Sequence, residues 1–319
     1  MQVFSSPTQN EIKMAAKALK EGHLVAFPTE TVYGLGADAM NQRAVARVYE
    51  LKARPPDHPL IVHIASVDQL LNWAIDIPNY AEKLAEKFWP GPMTLILKKS
   101  KIAKDFVTGS QATIGVRIPS HPMAQALLIE FNCLGGLGIA APSVNKFGKV
   151  SATTKEMIDI EFANLLTNED LVLDGGKSTI GIESTIIDCS SKIPNILRPG
   201  WITEGMITKY LDFKIIDLKY KSSIRHSGSF QSHYKPKCKI ILGLEPQVGD
   251  GMFALSKFNT PPGVIRLGSP RTVEEFARDM YLALSLADRK KMKTIYIIPP
   301  EGEGLSEAIR DRLKKASHT

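Results

Sequence analysis

The stretch Phe27-Pro28-Thr29-Glu30-Thr31-Val32-Tyr33-Gly34-Leu35-Gly36, with Lys52-Ala53-Arg54-Pro55-Pro56 close behind it, decides how this chain is read. Leu24 to Phe27 is an apolar run that reads as a buried strand. It breaks at Pro28 into hydroxyls, then into a Gly-x-Gly turn where bare backbone can approach a ligand closely. One helix later a lysine and an arginine stand two residues apart, just before prolines end the element. Hydroxyls and open backbone beside a fixed pair of cations suit a phosphorylated or carboxylated ligand. The pattern gives an anion site and leaves the anion unnamed.

Working outward, Thr8-x-x-Glu11 has the form of a capping box, opening a helix through Ile12, Ala15, Ala16 and Leu19 that stops at Gly22. Asn41 is placed to cap a second helix, with Val45, Val48 and Leu51 on one face and Lys52 and Arg54 at its end. Strands are expected at 60–64, 93–97, 114–118, 137–141, 171–174 and 184–188. Helices are expected from Ser66, from Asn79, over 121–130 and near 154–166. Residues 219–236 have no apolar period and are rich in serine and cations, which marks a linker. Strands at 239–244, 251–255 and 294–298 then alternate with helices at 272–290 and 304–316. The fold class is therefore α/β, with a smaller second α/β domain.

The 319 residues have 44% hydrophobic content and a mean hydropathy of −0.07, ordinary values for a globular protein. No apolar run approaches the roughly 20 residues that cross a bilayer, and Met1 to Pro7 lacks the basic and apolar regions of a signal peptide. The expected place is the cytoplasm, without membrane association. Cys133, Cys189 and Cys238 have no metal-ligand spacing and read as buried small apolar groups. The net charge of +7 is uneven: residues 1–205 net −1, residues 206–239 net +6 and residues 240–319 net +2. The basic excess sits in the linker.

Two motifs mislead. Leu171 to Ser178 ends in Gly-Lys-Ser as a P-loop does, but Leu171 stands where that motif needs glycine, and a β-branched run follows instead of a helix. Gly136-x-Gly138-x-x-Ala141 imitates a dinucleotide fingerprint, but Pro142 stands where its helix would begin. What remains is a set of polar clusters at strand ends. These are Thr29/Thr31, Lys52/Arg54/His58, His63, Thr113/Arg117, Ser143/Asn145 with Ser151, Ser184 and Arg198. Taken singly, Arg117 reads as a salt-bridged surface residue, His63 as a core histidine and Ser143/Asn145 as turn formers. Seven such clusters in one α/β domain, where ligands gather at strand ends, read as a site.

The segments PTETVYGLG, KARPPDHPLIVHI, FWPGPMTLIL, TIGVRIPSHP, AAPSVNKFGKVSATT, DGGKSTIGIESTIID and ILRPG resemble, in this order, the YrdC-type domain of L-threonylcarbamoyladenylate synthases. SHYKP and EGEGLSEAIRDRLKKAS are similar to the linker and C-terminal domain of the long, two-domain form. The resemblance implies a YrdC-type twisted mixed sheet with flanking helices over residues 8–205, a basic linker or lid over 206–238, and a Rossmann-like α/β domain over 239–319. It implies synthesis of threonylcarbamoyl-AMP from L-threonine, bicarbonate and ATP with release of pyrophosphate. A transferase then uses the product on tRNA.

By that resemblance Thr31, His63, Arg117, Ala141 and Ser184 would hold threonine. Lys52, Arg54 and His58 would face the triphosphate, while Thr113, Ser143, Asn145, Ser151, Arg198 and Tyr234 would contact the nucleotide. No residue acts as a nucleophile. Mg2+ is expected with ATP, its ligands unassigned, and no tightly bound organic cofactor is expected. Weak contact with tRNA fits the positive total. Two other readings are a nucleic-acid-binding protein and a carbamoyltransferase of the hydrogenase-maturation type. The −1 balance of residues 1–205 and the lack of an RNA-binding signature oppose the first. The lack of zinc-finger cysteines and of an acylphosphatase segment opposes the second.

Overall fold

The apolar runs become the strands of two sheets. The computed structural model describes residues 2–5, 7–162, 164–211, 224–228, 233–243 and 245–318. Ten strands form the first sheet: β1 (Gln2–Ser5), β2 (Val25–Phe27), β3 (Gly34–Asp38), β4 (Ile61–His63), β5 (Met93–Lys98), β6 (Thr113–Arg117), β7 (Ile139–Ala140), β8 (Leu171–Asp174), β9 (Thr185–Asp188) and β10 (Asn195–Arg198). Their spatial order is β1-β8-β2-β3-β7-β4-β6-β5-β9-β10. The β4/β6 and β5/β9 pairs are parallel, while β2/β3, β5/β6 and β9/β10 are antiparallel, so the sheet is mixed.

The second sheet holds β11 (Lys239–Leu242), β12 (Gly251–Phe253), β13 (Ile265–Gly268) and β14 (Thr294–Ile297) in the order β11-β14-β12-β13. All its neighbours are parallel, and helices Val273–Arg289 and Leu305–Ser317 accompany it. This is a Rossmann-like arrangement.

Helix formation follows the capping chemistry. Thr8 and Glu11 make both bonds of the capping box at the start of helix Gln9–Lys20. That helix buries Ile12, Ala15, Ala16 and Leu19 beside Leu127, Leu128 and Phe131 of helix Pro122–Cys133, forming a separate core layer over β2 and β8. Full burial of one such leucine is worth about 1.5–3 kcal/mol. Asn41 Oδ1 accepts from the amides of Arg43 and Ala44, both at 3.1 Å, opening helix Gln42–Lys52. The helix ends at Ala53 in the left-handed region (φ 49°), and its buried face includes Lys52.

Several expectations need correction. The Gly-x-Gly segment is strand β3, not a turn. A Cβ at Gly36 would lie 2.8 Å from Ile139 and 2.9 Å from the Phe27 ring, so this glycine is demanded by packing. Strands β1, β10 and β13 lie where none was expected. Helix Glu204–Leu211 takes up residues assigned to the start of the linker. Much of that linker, residues 212–223 and 229–232, lies outside the described residues, as does the expected strand end at 244. Cys133 is exposed, while Cys189 and Cys238 are buried.

Candidate functional site

The C-terminal ends of β4 and β6 lie side by side, with His63 paired to Arg117 in register. Arg117 is buried and uses three of its five N–H donors: Nη2 donates to Glu30 Oε1 at 2.6 Å, Nη1 to Thr31 Oγ1 at 2.9 Å, and Nε to the Gly91 carbonyl at 3.2 Å. Glu30 also accepts from the Ser120 amide. The salt bridge expected of Arg117 is present, but the expected surface position is not: both partners are buried and the arginine lines a cavity. Thr29 and Thr31 share a hydroxyl–hydroxyl bond of 2.8 Å. Ser184, just before β9, bonds Thr94 at 2.8 Å.

His63 lines the same cavity. Burial, then the nearby Arg117 charge, brings its pKa down to about 3, so the imidazole is neutral, and Nδ1 has no partner among the described residues. Val32, Ile61 and Ala141 add an apolar wall.

Cations gather opposite. Lys52 Nζ donates to the carbonyls of Ser143 (2.6 Å) and Asn145, tying down the loop after β7. Arg54 donates to the carbonyls of His58 and Pro59 and to Ser227 Oγ. Arg198, ending β10, donates to the carbonyl and hydroxyl of Ser184 and to the Ser227 carbonyl. Burial, then the Arg54 charge, holds Lys52 well below the ordinary lysine value. Burial brings Arg54 down to about 10, and Arg198 opposes its charge further. Buried like charges whose bonds run to carbonyls and hydroxyls form a ready receptor for an anion.

The cavity brings together Thr31, His63, Arg117, Ala141, Ser184, Lys52, Arg54, Ser143, Asn145, Arg198 and Tyr234. Three expected residues do not line it. Thr113 begins β6, four residues and about 13 Å along the strand from Arg117. Ser151 instead donates to Glu183 Oε1 at 2.7 Å. The His58 ring packs edge-on to Phe147 at 5.8 Å, and burial followed by the Arg54 charge lowers its pKa.

The remaining wall comes from the linker, backed by the second domain. Ser227, Gly228, His233 and Tyr234 line the cavity and leave it about 50 Å³, room for a few waters. Tyr234, at a left-handed φ of 63°, stacks on Tyr281 at 5.6 Å, and Arg312 lies 5.6 Å over its ring. Arg312 Nε donates to Glu183 Oε2 at 3.1 Å and Nη2 to the Pro199 carbonyl at 2.8 Å. Tyr281 also donates to Glu183. Burial alone would raise the Glu183 pKa, but Arg312 and Arg198 outweigh it and lower it, keeping the carboxylate ionised.

A family model described as telomere recombination, covering the Sua5, YciO and YrdC group, matches residues 17–200. A second, described as the C-terminal domain of threonylcarbamoyl-AMP synthase, matches residues 202–318. The threonylcarbamoyl-AMP synthase of Pyrococcus abyssi is 39% identical, over 96% of this chain and 94% of its own length. The chain belongs to the threonylcarbamoyl-AMP synthase family.

The Bacillus subtilis threonylcarbamoyl-AMP synthase is 37% identical, over 98% of this chain and 94% of its own. Among solved structures, that of P. abyssi Sua5 complexed with L-threonine superposes with a TM-score of 0.88 at 36% identity, covering 99% of this chain and 98% of that one. In this synthase-family chain, the residues that sequence reasoning missed are Glu30, Glu183, His233 and the second-domain pair Tyr281 and Arg312. Glu30 and Glu183 directly precede assigned residues, Thr31 and Ser184, which was the one local signal. Among the described residues no group of three or more His, Cys, Asp or Glu side chains could hold a metal ion, and no helix is long and apolar enough to cross a membrane.

Proposed function

We propose that this chain makes L-threonylcarbamoyl-AMP from L-threonine, bicarbonate and ATP, releasing pyrophosphate, as the first step of a tRNA modification in the cytoplasm. The observation that carries the reading is one cavity with two unlike halves. Thr31, His63, Arg117 and Ser184 form a half suited to a small amino acid, and Lys52, Arg54 and Arg198 form a half suited to phosphates.

The threonine carboxylate meets the donors Arg117 has left, beside the Thr31 hydroxyl, since a guanidinium suits a planar carboxylate. Ser184 and neutral His63 face the threonine hydroxyl, and Val32, Ile61 and Ala141 face its methyl group. Bicarbonate gives up its hydroxide, the amine bonds to the carbon of the resulting CO2, and the proton the amine loses leaves with that hydroxide as water, giving a carbamate. A carbamate oxygen then bonds to the α-phosphorus of ATP, the bond from that phosphorus to the bridging oxygen breaks, and pyrophosphate leaves with the electron pair. Such a transfer needs positioning and charge neutralisation rather than a protein nucleophile.

Lys52, Arg54 and Arg198 neutralise the phosphates, and the loop of Ser143 and Asn145 borders the nucleotide. Mg2+ enters with ATP as part of the substrate. The cavity carboxylates do not fit a metal, because Glu30 is held by Arg117 and Glu183 by Arg312, Tyr281 and Ser151. A volume of about 50 Å³ is too small for ATP, so Ser227, Gly228, His233 and Tyr234 move aside to admit it, and Tyr234 then returns over the site. A transferase consumes the product.

Incubation with ATP, threonine and carbon-13 bicarbonate tests the reading by mass spectrometry. A threonylcarbamoyl-AMP ion carrying one heavy carbon is expected. AMP formed without it would overturn the proposal.

A further inference from the structure

A second cavity, of about 810 Å³, lies between the domains on the far side of the loop that bears Ser143 and Asn145. Residues 146–152 and helix Lys155–Phe162 form one wall. Residues 235–238 and the end of helix Val273–Arg289 form the other. An Arg289–Glu156 pair at 2.9 Å joins helix Val273–Arg289 to helix Lys155–Phe162. A bond from the Lys235 amide to the Gly148 carbonyl at 2.8 Å joins the linker to the loop.

The charge on these walls is one-sided. Six cations line the cavity against two carboxylates. Both carboxylates are turned to backbone: Asp288 accepts from the amides of Lys237 and Cys238 at 2.9 Å, and Glu161 from the amide of Lys146 at 2.8 Å. Lys149, Lys237 and Lys291 have no ion pair among the described residues. The floor is apolar, made by Val150, Ala152, Met157 and Met292. A bare phosphate needs cations and no such floor, whereas a flat base bearing phosphates uses both. The volume lies in the range of small-molecule sites.

We propose that this cavity is a second nucleoside-phosphate site, its base on the Met157–Met292 floor and its phosphates among Lys149, Lys237 and Lys291. The loop between the cavities is common to both. Asn145 Nδ2 donates to the Lys149 carbonyl at 3.0 Å, while Lys52 grips Ser143 and Asn145 from the other side. Binding in one cavity therefore bears on the other, and the effect is reciprocal.

Titration calorimetry of the full chain with Mg-ATP tests this. Wild type should bind two equivalents, and Lys149→Gln/Lys237→Gln/Lys291→Gln should bind one, with an unchanged Tm. The equivalent that survives should be the one lost in Lys52→Met. A charge-reversed triple, with Glu at the same positions, should lose the second equivalent even where Gln only weakens it tenfold. One equivalent in wild type, or two in both triples, would overturn the proposal. So would a single ATP equivalent together with tight, salt-sensitive binding of a 20-nucleotide RNA, because the cationic wall would then serve a nucleic-acid backbone.

Discussion

In the proposed reaction Arg117 and Lys52 divide the substrates between them. Arg117→Ala removes the carboxylate partner and strands Glu30 in a buried site. Truncating one member of a buried charged pair costs about 2–5 kcal/mol, so KM for threonine should rise roughly 30-fold or more. Initial-rate measurement of pyrophosphate release against threonine concentration reads this. Lys52→Met keeps the packing of the stem and deletes the charge that binds two loop carbonyls. It should raise KM for ATP and leave KM for threonine within a few-fold, and an equal rise in both would contradict the division. At this scale the sequence was informative: Thr31, Arg117, Ser184 and Arg198 were legible as polar residues near strand ends, and Lys52 as a cation at a helix end. Glu183 was not, because its meaning depends on Arg312, 129 residues away. Thr113 and Ser151 lie off the cavity because one begins its strand and the other turns to Glu183.

Helix Gln42–Lys52 sets where Lys52 points. Its start rests on Asn41, so Asn41→Ala should cost about 1 kcal/mol, read as a lower urea midpoint with an unchanged slope. A substitution that altered the slope would mean that the helix end does more than cap. Helices were legible in the sequence because capping boxes and 3.6-residue periods are local signals. β3 was not, because its glycines looked like a turn, and only their packing against Phe27, Ile139 and Ala141 explains them. β1 escaped for another reason. It is a four-residue strand that pairs in parallel with β8, 169 positions later at Gln2 and Leu171, which no local pattern reveals.

The whole molecule is closed by a network that ties the second domain to the first. Arg312 contacts Glu183, the Pro199 carbonyl and the Tyr234 ring. Arg312→Met leaves Glu183 buried with a weaker set of donors and should cost roughly 3–5 kcal/mol. Adding Glu183→Gln should recover part of that loss in a double-mutant cycle.

Stability should also fall with acid. His63 and His233 have pKa values brought down to about 3, and His226 to about 4, in each case chiefly by burial. An unfolded histidine takes a proton near 6.5. Below that pH the unfolded chain binds protons that the fold refuses, so stability is complete above about 6.5 and drains away as pH falls towards 3. At pH 5 each histidine costs about 2 kcal/mol. A Tm profile from pH 8 to 5 should therefore drop steeply, and His63→Asn should flatten it.

One measurement bears most directly on the central claim that this cavity joins an amino acid to ATP. Pyrophosphate release from ATP and bicarbonate, measured with each of the twenty amino acids in turn, should be fast with threonine and near background with the others. Equal release with all of them, or none with threonine, would contradict the account.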